Sequence, residues 1–400
     1  MILLLKIIIL ISIFLFFHCY LIYPLHLFIL YSLRKKSVSD PPCEDENLPQ
    51  VSCIISVYNE SGIIDKKIIS VLDSNYPVEK LILYIGSDAS TDDSNHIIER
   101  WSVKDKRIHF FYYKQRRGKA FVINDLVDEA FKKNIKSDNH ILLFTDANVI
   151  LTKNAIKNLC RHFKNSKVAL VDSKIIPTNL KEGGISYSEN QYMSLEIKVK
   201  HMEGKLWGAM MGAFGGCFAL RSSFLEKVPP RFLVDDFFIS MSALKRGGHC
   251  LNDLNAICYE GMPDQLKEEF KRKARISAGN FQNLAYFYKM LFKKPVVIAY
   301  AFFSHKVLRW IGPFLIILMG TAMIGLAIMN PIQYSFYLLI FTIIIIVLPF
   351  IDYLLSKVGI NIKILRGIRY FISMNIALLI GFIKYVKGIR NSSWEPPKRT

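Results

Sequence analysis

The chain is short of paired cysteines, of acidic residues and, over its first thirty-odd positions, of charge altogether. Its seven cysteines (19, 43, 53, 160, 217, 250 and 258) are odd in number and scattered, with no C-x-x-C spacing. This excludes a disulfide framework or a zinc knuckle and fits reduced thiols in a cytosolic domain. Aspartate and glutamate number 33 against 52 lysines and arginines, a formal net charge of +19. No nucleic-acid module signature accompanies that surplus, and the basic residues cluster beside apolar segments. The expected counterpart is therefore anionic lipid and not nucleic acid. Residues 1–33 hold one charge, Lys6, and no small-residue cleavage site, and they end at Arg34-Lys35-Lys36. Such a run reads as a retained membrane anchor, with the chain after the basic triplet on the cytoplasmic side.

An apolar fraction of 52% exceeds what one soluble core needs, and the surplus lies at the two ends. Between them, apolar runs end abruptly in polar residues. VSCIISV (51–57) stops at Tyr58, Asn59 and Glu60, and LILYI (81–85) stops at Gly86, Ser87 and Asp88. RIHFFYY (107–113) runs into Lys114-Gln115-Arg116-Arg117-Gly118-Lys119, and ILLFT leads into Asp146-Ala147-Asn148. Helical spacing at 63–72, to about 102, and at 154–165 separates these runs, with a further strand at 168–171. The alternation predicts an α/β, doubly wound sheet whose strand ends open on a ligand crevice. Carboxylates beside cations on one sheet edge suit a nucleotide with a divalent ion, although each residue alone also suits ordinary turn chemistry. Residues 182–205 read as less regular. In MMGAFGGCFALR (210–221), Gly212, Gly215 and Gly216 permit close backbone approach to a ligand or mark a bend. Asp235 and Asp236 precede an apolar helical pattern, where acids also suit a helix N-terminus.

From about residue 48 to 282 these segments resemble the membrane-bound family 2 glycosyltransferases, the group of hyaluronan, cellulose, chitin and poly-N-acetylglucosamine synthases. VSCIISVYNE, SDASTDDS, RRGKAFVIN, TDAN, GAFGGCFALR, VDDF and KRKARISAGNFQ follow in the family's order. The resemblance implies a GT-A, Rossmann-like fold and inverting transfer from a nucleotide-sugar donor, most simply a UDP-sugar. It assigns Tyr58, Glu60 and Asp88 to the base and ribose, and Lys119 to the nucleotide. Asp146 and Asn148 stand at the D-x-D metal position, for Mg2+ or Mn2+, and Asp236 matches the catalytic base. Gly215, Gly216, Asp235, Arg272 and Arg275 fall to the acceptor or diphosphate. Asn148 replaces the second acid of D-x-D and offers a neutral oxygen. Arg272-Lys273-Ala274-Arg275-Ile276 lacks the Gln and Trp of the family's Q-x-x-R-W segment, which in processive members supports the acceptor.

Residues 265–287 combine apolar spacing with Lys267, Lys271, Arg272, Lys273 and Arg275, as in a basic amphipathic helix on a cytoplasmic leaflet. Spans at 310–329 and 332–355 flank Asn330-Pro331, and Lys357, Lys363, Arg366 and Arg369 then predict a cytoplasmic loop. Residues 370–383 are apolar but short. A shallow interfacial segment is expected there, with a third C-terminal span as the alternative. Headgroup anchoring accounts for His305, Lys306, Arg309 and Trp310, although Arg309 would also suit a place near the acceptor. The expected organisation is an anchor (1–33), a linker (34–47), a catalytic domain (48–260), an interfacial region (261–305), a membrane region (306–390) and a tail (391–400). The expected protein is integral to the inner or plasma membrane with a cytoplasmic catalytic domain, and it extends a glycan. Single addition to a lipid acceptor, or a non-catalytic scaffold keeping the fold, are the alternatives.

Overall fold

The structure is a computed structural model that describes residues 1–34, 48–133, 139–178, 185–261, 266–360 and 362–389. Apart from Arg34, the expected linker lies outside the described residues, as does the tail at 391–400. The chain divides into two units, one built on a sheet and one on apolar helices.

The sheet unit has eight strands among the described residues: β1 (Gln50–Val57), β2 (Leu81–Asp88), β3 (Ile108–Tyr113), β4 (His140–Thr145), β5 (Val149–Leu151), β6 (Val168–Thr178), β7 (Cys217–Arg221) and β8 (His249–Gly261). Their order is β3-β2-β1-β4-β7-β6-β8-β5. The first four are parallel, with Val51 in register with Leu81 on one side and Ile141 on the other. All six residues of β4 are buried, as a strand covered on both faces requires. The chain steps from β1 outward through β2 to β3 and then crosses back to β4 on the other side of β1, so the strand order reverses there and a crevice opens at that switch point beyond the carboxyl ends. The helix Lys119–Lys133 packs on β2 at Gly86, where a Cβ would come within 2.6 Å of Val122 Cγ1. The remaining strands are mixed: β7 is antiparallel to β4 and β6, and β8 is parallel to β6. β6 runs well beyond the expected 168–171 because its second half, after a register shift, pairs with β8 from Lys174↔Ile257 to Thr178↔Gly261.

The region expected to be irregular at 182–205 is instead the helix Ile185–Trp207. Its described buried face includes Glu196, Lys200 and Glu203 at spacings of four and three, alongside Met193, Ile197 and Val199. Charged residues on the inward stripe erase the apolar periodicity by which helices are recognised.

In the helical unit, four helices among the described residues are long and apolar enough to cross a membrane: Ile2–Leu33, Gly312–Met329, Pro331–Lys357 and Lys363–Val386. The tight hairpin at Asn330-Pro331 is held by Asn330 Oδ1, which accepts from Gln333 N at 3.2 Å, with Pro331 at the first helical position. Residues 370–383 lie inside a 24-residue helix, longer than the shallow segment expected. The basic amphipathic helix forms over Leu266–Phe287. It packs on Lys363–Val386, where Ser277 Oγ donates to Leu378 O at 2.8 Å and the Phe281 ring meets Phe382. His305, Arg309 and Trp310 are buried within this unit and do not face headgroups as the sequence suggested.

Candidate functional site

At the end of β1 the chain turns at Asn59, whose φ of 50° is left-handed. The turn is stitched to the loop after β2. Asn59 N donates to Ser90 Oγ (3.1 Å), Thr91 N donates to Asn59 Oδ1 (2.8 Å), and Glu60 N donates to Ser94 Oγ (2.9 Å). The hydroxyl-rich segment Ser90–Ser94 thus braces the Tyr58-Asn59-Glu60 loop, with Glu60 itself buried.

Asp88, at the end of β2, is also buried. Its Oδ1 accepts from Arg117 N at 2.6 Å and its Oδ2 from Gly118 N at 2.9 Å, while Arg116 Nε stands 3.5 Å from Oδ2. The Arg116 guanidinium lies over the Tyr58 ring, 3.3 Å from its centroid. Asp88 therefore shapes the basic turn that delivers Lys119 to the head of its helix, and the turn in turn covers Tyr58. Of the expected base and ribose contacts, Tyr58 and Asp88 are joined through Arg116. Both oxygens of Asp88 already accept backbone hydrogen bonds.

Lys119 Nζ stands 2.8 Å from Asp146 Oδ1 and 3.3 Å from Asp235 Oδ2. Burial by itself would lower the pKa of this ammonium, but the two carboxylates outweigh it and hold it well above the ordinary lysine value. Asp235 and Asp236 open the helix Asp235–Lys245. Asp236 Oδ1 accepts from Phe237 N at 2.7 Å, and Oδ2 lies where a Cβ on Gly215 would be, 2.3 Å away. Burial first, and then the negative charge of Asp235, push the Asp236 carboxyl up to about 7, although Lys119 opposes them. A cavity of about 10 Å³ opens among Ser56, Lys119, Thr145, Asp146, Gly215 and Asp235. Residues from β1, β4, the Lys119 helix, the glycine loop and the Asp235 helix thus converge at the switch point.

The glycine loop is fixed from behind. Gly216 O accepts from Asp146 N (3.0 Å) and Thr145 Oγ1 (2.9 Å). Glu203 Oε2 accepts from Met211 N (3.0 Å), and Asp172 Oδ2 accepts from both Phe214 N (3.1 Å) and Lys200 Nζ (3.0 Å). None of Asp172, Lys200 and Glu203 is singled out by sequence, because Lys200 and Glu203 read as surface charge on a helix and the partner of Lys200, Asp172, lies on β6. Two further residues, Glu260 and Lys67, were missed. Asn148 Nδ2 donates to Glu260 Oε1 at 3.0 Å, which orients the amide. Lys67, on the helix Ile64–Leu72, is fully buried and donates to Thr145 Oγ1 (2.7 Å) and Val149 O (2.5 Å). Arg272 and Arg275 belong to the helical unit, where the Arg272 guanidinium is engaged by Glu269 at 2.8 Å.

Comparison with known proteins fits this geometry. Residues 52–228 match the sequence model of "Glycosyl transferase family 2", and residues 141–353 that of "Glycosyl transferase family group 2". The chain belongs to the family 2 glycosyltransferases. Among its relatives in this glycosyltransferase family is the probable glycosyltransferase YdaM of Bacillus subtilis (strain 168), 24% identical over 67% of this chain and 64% of YdaM. Another is the poly-beta-1,6-N-acetyl-D-glucosamine synthase of Staphylococcus aureus (strain MSSA476), 24% identical over 64% of this chain and 60% of the synthase. The chain therefore spans less than two thirds of the length of either. A solved structure, the mannosyltransferase PcManGT from Pyrobaculum calidifontis in complex with GDP-Man and Mn2+, superposes with a TM-score of 0.66 at 18% identity, covering 95% of this chain and 99% of that one. At that identity the likeness is one of fold, and it is the GT-A fold that the family resemblance implied.

Proposed function

We propose that this protein is a membrane-bound, inverting glycosyltransferase that moves a sugar from a nucleotide-sugar donor, in our reading a UDP-sugar, to a growing cell-surface or exopolysaccharide glycan. The observation that carries the reading is the pairing of Asp236, a carboxyl pushed up to about 7, with the Lys119–Asp146–Asp235 cluster at one strand-end crevice. In an inverting displacement the acceptor hydroxyl attacks the anomeric carbon while the bond to the diphosphate breaks. Asp236 takes the hydroxyl proton, and a pKa near neutrality suits a group that must be ionised before the step and protonated after it. Lys119 supplies positive charge to the departing diphosphate. Asp88 acts through the turn it shapes, while Tyr58 and Glu60 line the base side. Gly215 and Gly216 bring backbone close to the reacting groups, and Arg272 and Arg275 are assigned to the acceptor or diphosphate.

A divalent ion suits the donor set. Asp146 Oδ1 and Asp235 Oδ2 already share one cation, the Lys119 ammonium, and carboxylate and amide oxygens are the ligands Mg2+ and Mn2+ prefer. Among the described residues no three His, Cys, Asp or Glu side chains form a metal-holding group. Asp146, with Asn148 beside it, would thus hold the ion together with phosphate and water oxygens. When bound, the ion stabilises charge on the leaving diphosphate. The GDP-Man and Mn2+ bound to PcManGT and the product named for the staphylococcal synthase support a nucleotide-sugar donor, a metal and a glycan acceptor.

The four apolar helices support an integral membrane protein in contact with lipid, and Arg34-Lys35-Lys36 favours a cytoplasmic catalytic domain at 48–260. The missing Gln and Trp around Arg272 favour a second reading, single addition to a lipid acceptor. To test these, membranes containing the protein are incubated with a panel of nucleotide sugars, and nucleotide release and product mass are measured. Asp236→Asn and Asp146→Ala are each expected to abolish release while the protein stays folded in the membrane. Activity in both variants would overturn the site assignment, and no turnover by the wild type with any donor would favour a non-catalytic scaffold. A ladder of product masses supports extension of a glycan, and a single increment supports single addition.

A further inference from the structure

We infer that Lys67 is a positioning residue for the nucleotide-diphosphate site, one that holds the Asp146-Ala147-Asn148 turn in its binding shape from inside the sheet. The inference rests on the functional reading above and adds to it a residue that no motif contains.

β4 ends at Thr145 and β5 begins at Val149, so these two residues bracket the turn. Lys67 Nζ donates to both, to the Thr145 hydroxyl at 2.7 Å and to the Val149 carbonyl at 2.5 Å. Asp146 O in turn accepts from Val149 N at 3.2 Å, and Asp146 N donates to Gly216 O at 3.0 Å. The Thr145 hydroxyl, having accepted from Lys67, passes its own hydrogen to that same Gly216 carbonyl at 2.9 Å. A single amine therefore clamps both ends of the turn and, through Thr145, ties it to the glycine loop against which Asp236 lies.

Packing alone does not call for a lysine here. Its neighbours on the buried face of the helix are Ile64, Ile68 and Val71, and an apolar side chain at 67 would continue that face. An ammonium taken fully out of water is costly unless its hydrogen bonds are satisfied. The two acceptors bonded to it are neutral oxygens, and the thiols of Cys53, Cys217 and Cys258 around it are buried too. What the amine provides that a hydrocarbon does not is directed donors, and both recognised targets flank the acidic turn.

The test uses the full-length protein in detergent, with UDP and GDP each titrated in the presence of Mn2+ by calorimetry, and thermal melting to establish that each variant is folded. Lys67→Met is expected to weaken binding of the preferred nucleotide roughly tenfold, the scale of one buried hydrogen bond. Thr145→Val, which loses the relay hydroxyl, is expected to weaken it as well, and Thr145→Ser, which keeps it, to bind like wild type. Combining Lys67→Met with Thr145→Val is expected to be no worse than the weaker single variant, because both act through one turn. A folded Lys67→Met that melts at a lower temperature yet binds with wild-type affinity overturns the inference and leaves a merely structural lysine. If Lys67→Met does not fold, the threonine pair decides: equal affinities for Thr145→Val and Thr145→Ser overturn it. Wild type that binds neither nucleotide removes the functional reading and this inference with it, whereas wild-type binding with unaffected variants removes only the inference.

Discussion

Substitution of Gly215 by alanine puts a methyl group against the proposed base. Gly215 has φ +82°, and an ideal Cβ there lies 2.3 Å from Asp236 Oδ2 and 3.0 Å from its Cγ. Two costs follow and can be separated. The backbone cost of a non-glycine residue in the left-handed region is about 1–2 kcal/mol, or roughly 2–8 °C in melting temperature for a domain of this size. The steric cost falls on Asp236. A contact of 2.3 Å must open by about 1 Å to become tolerable, and Oδ1 is tied to Phe237 N at 2.7 Å, so the carboxylate cannot turn aside without losing that bond. A displacement of about 1 Å in a reacting group costs on the order of 100-fold in rate. Gly247 supplies the control, since it has the same φ of +82° with nothing within 4 Å of its Cβ position. Rates of nucleotide release and melting temperatures are compared for wild type, Gly215→Ala and Gly247→Ala. Both variants are expected to melt lower, and only Gly215→Ala to lose about two orders of magnitude in rate. Release by Gly215→Ala within about threefold of Gly247→Ala would refute the placement of Asp236 as the base, since the displacement argued from the 2.3 Å contact would then be without kinetic effect.

The Asp236 carboxyl, raised to about 7, gives a pH signature with a definite sign. The base works ionised, so kcat/KM for nucleotide release is expected to fall about tenfold per unit below about pH 7 and to level off above it. Asp235→Asn, which removes a neighbouring negative charge, should move that limb to lower pH, and a limb that stays put would remove Asp236 as its source. Because the folded protein holds this proton above the ordinary carboxyl value of 3.8, the group's contribution makes stability decline between about pH 4 and pH 7 and stay flat beyond. Melting of wild type against Asp236→Asn across that range checks this. Lys119→Met should weaken donor binding yet tighten binding of Mn2+ without nucleotide, measured by electron paramagnetic resonance. The ammonium now 2.8 Å from Asp146 Oδ1 would no longer compete for that carboxylate, and weaker binding of bare Mn2+ would contradict the shared-cation reading.

The parallel half of the sheet was legible in sequence because its physics is simple. β1, β2 and β4 are covered on both faces, so they read as continuous apolar runs, and each stops where the chain leaves the core for the crevice. The positions of Asp88, Lys119, Asp146 and Asp236 followed from those stops and from the family likeness. What stayed hidden is buried polarity. The helix Ile185–Trp207 lost its apolar stripe to Glu196, Lys200 and Glu203. β8 has Asn252 and Asp253 in its core, where Asn252 Nδ2 donates to Ser173 O at 3.0 Å and Asp253 Oδ2 pairs with Arg161 and His162, each at 2.8 Å. Lys67, in the run Asp65-Lys66-Lys67, reads as one more solvated charge. A sequence pattern reports the average habit of a residue type, and these residues are exceptions to it: Lys67, Lys200 and Asp253 each find partners 28 or more positions away in the chain.

Those exceptions also bear on how one site can serve two reacting groups supplied by distant parts of the chain. In the proposed mechanism the donor side depends on Asp146, which follows β4, and the acceptor side on Asp236, packed against the loop that leads into β7. β4 and β7 are hydrogen-bonded neighbours, with Thr145 opposite Cys217, and Gly216 O binds both Thr145 and Asp146. From one side Lys67 holds this junction, and from the other Glu203, Lys200 and Asp172 hold the loop at Met211 and Phe214. An in-line displacement needs base and leaving group fixed relative to each other more than it needs either fixed to the rest of the protein. By referencing both to one strand pair and one carbonyl, the fold makes their separation a local property of the sheet. Disturbance at Gly216 should then change donor affinity and turnover together, whereas disturbance at Tyr58 or Arg116 should act on donor affinity alone.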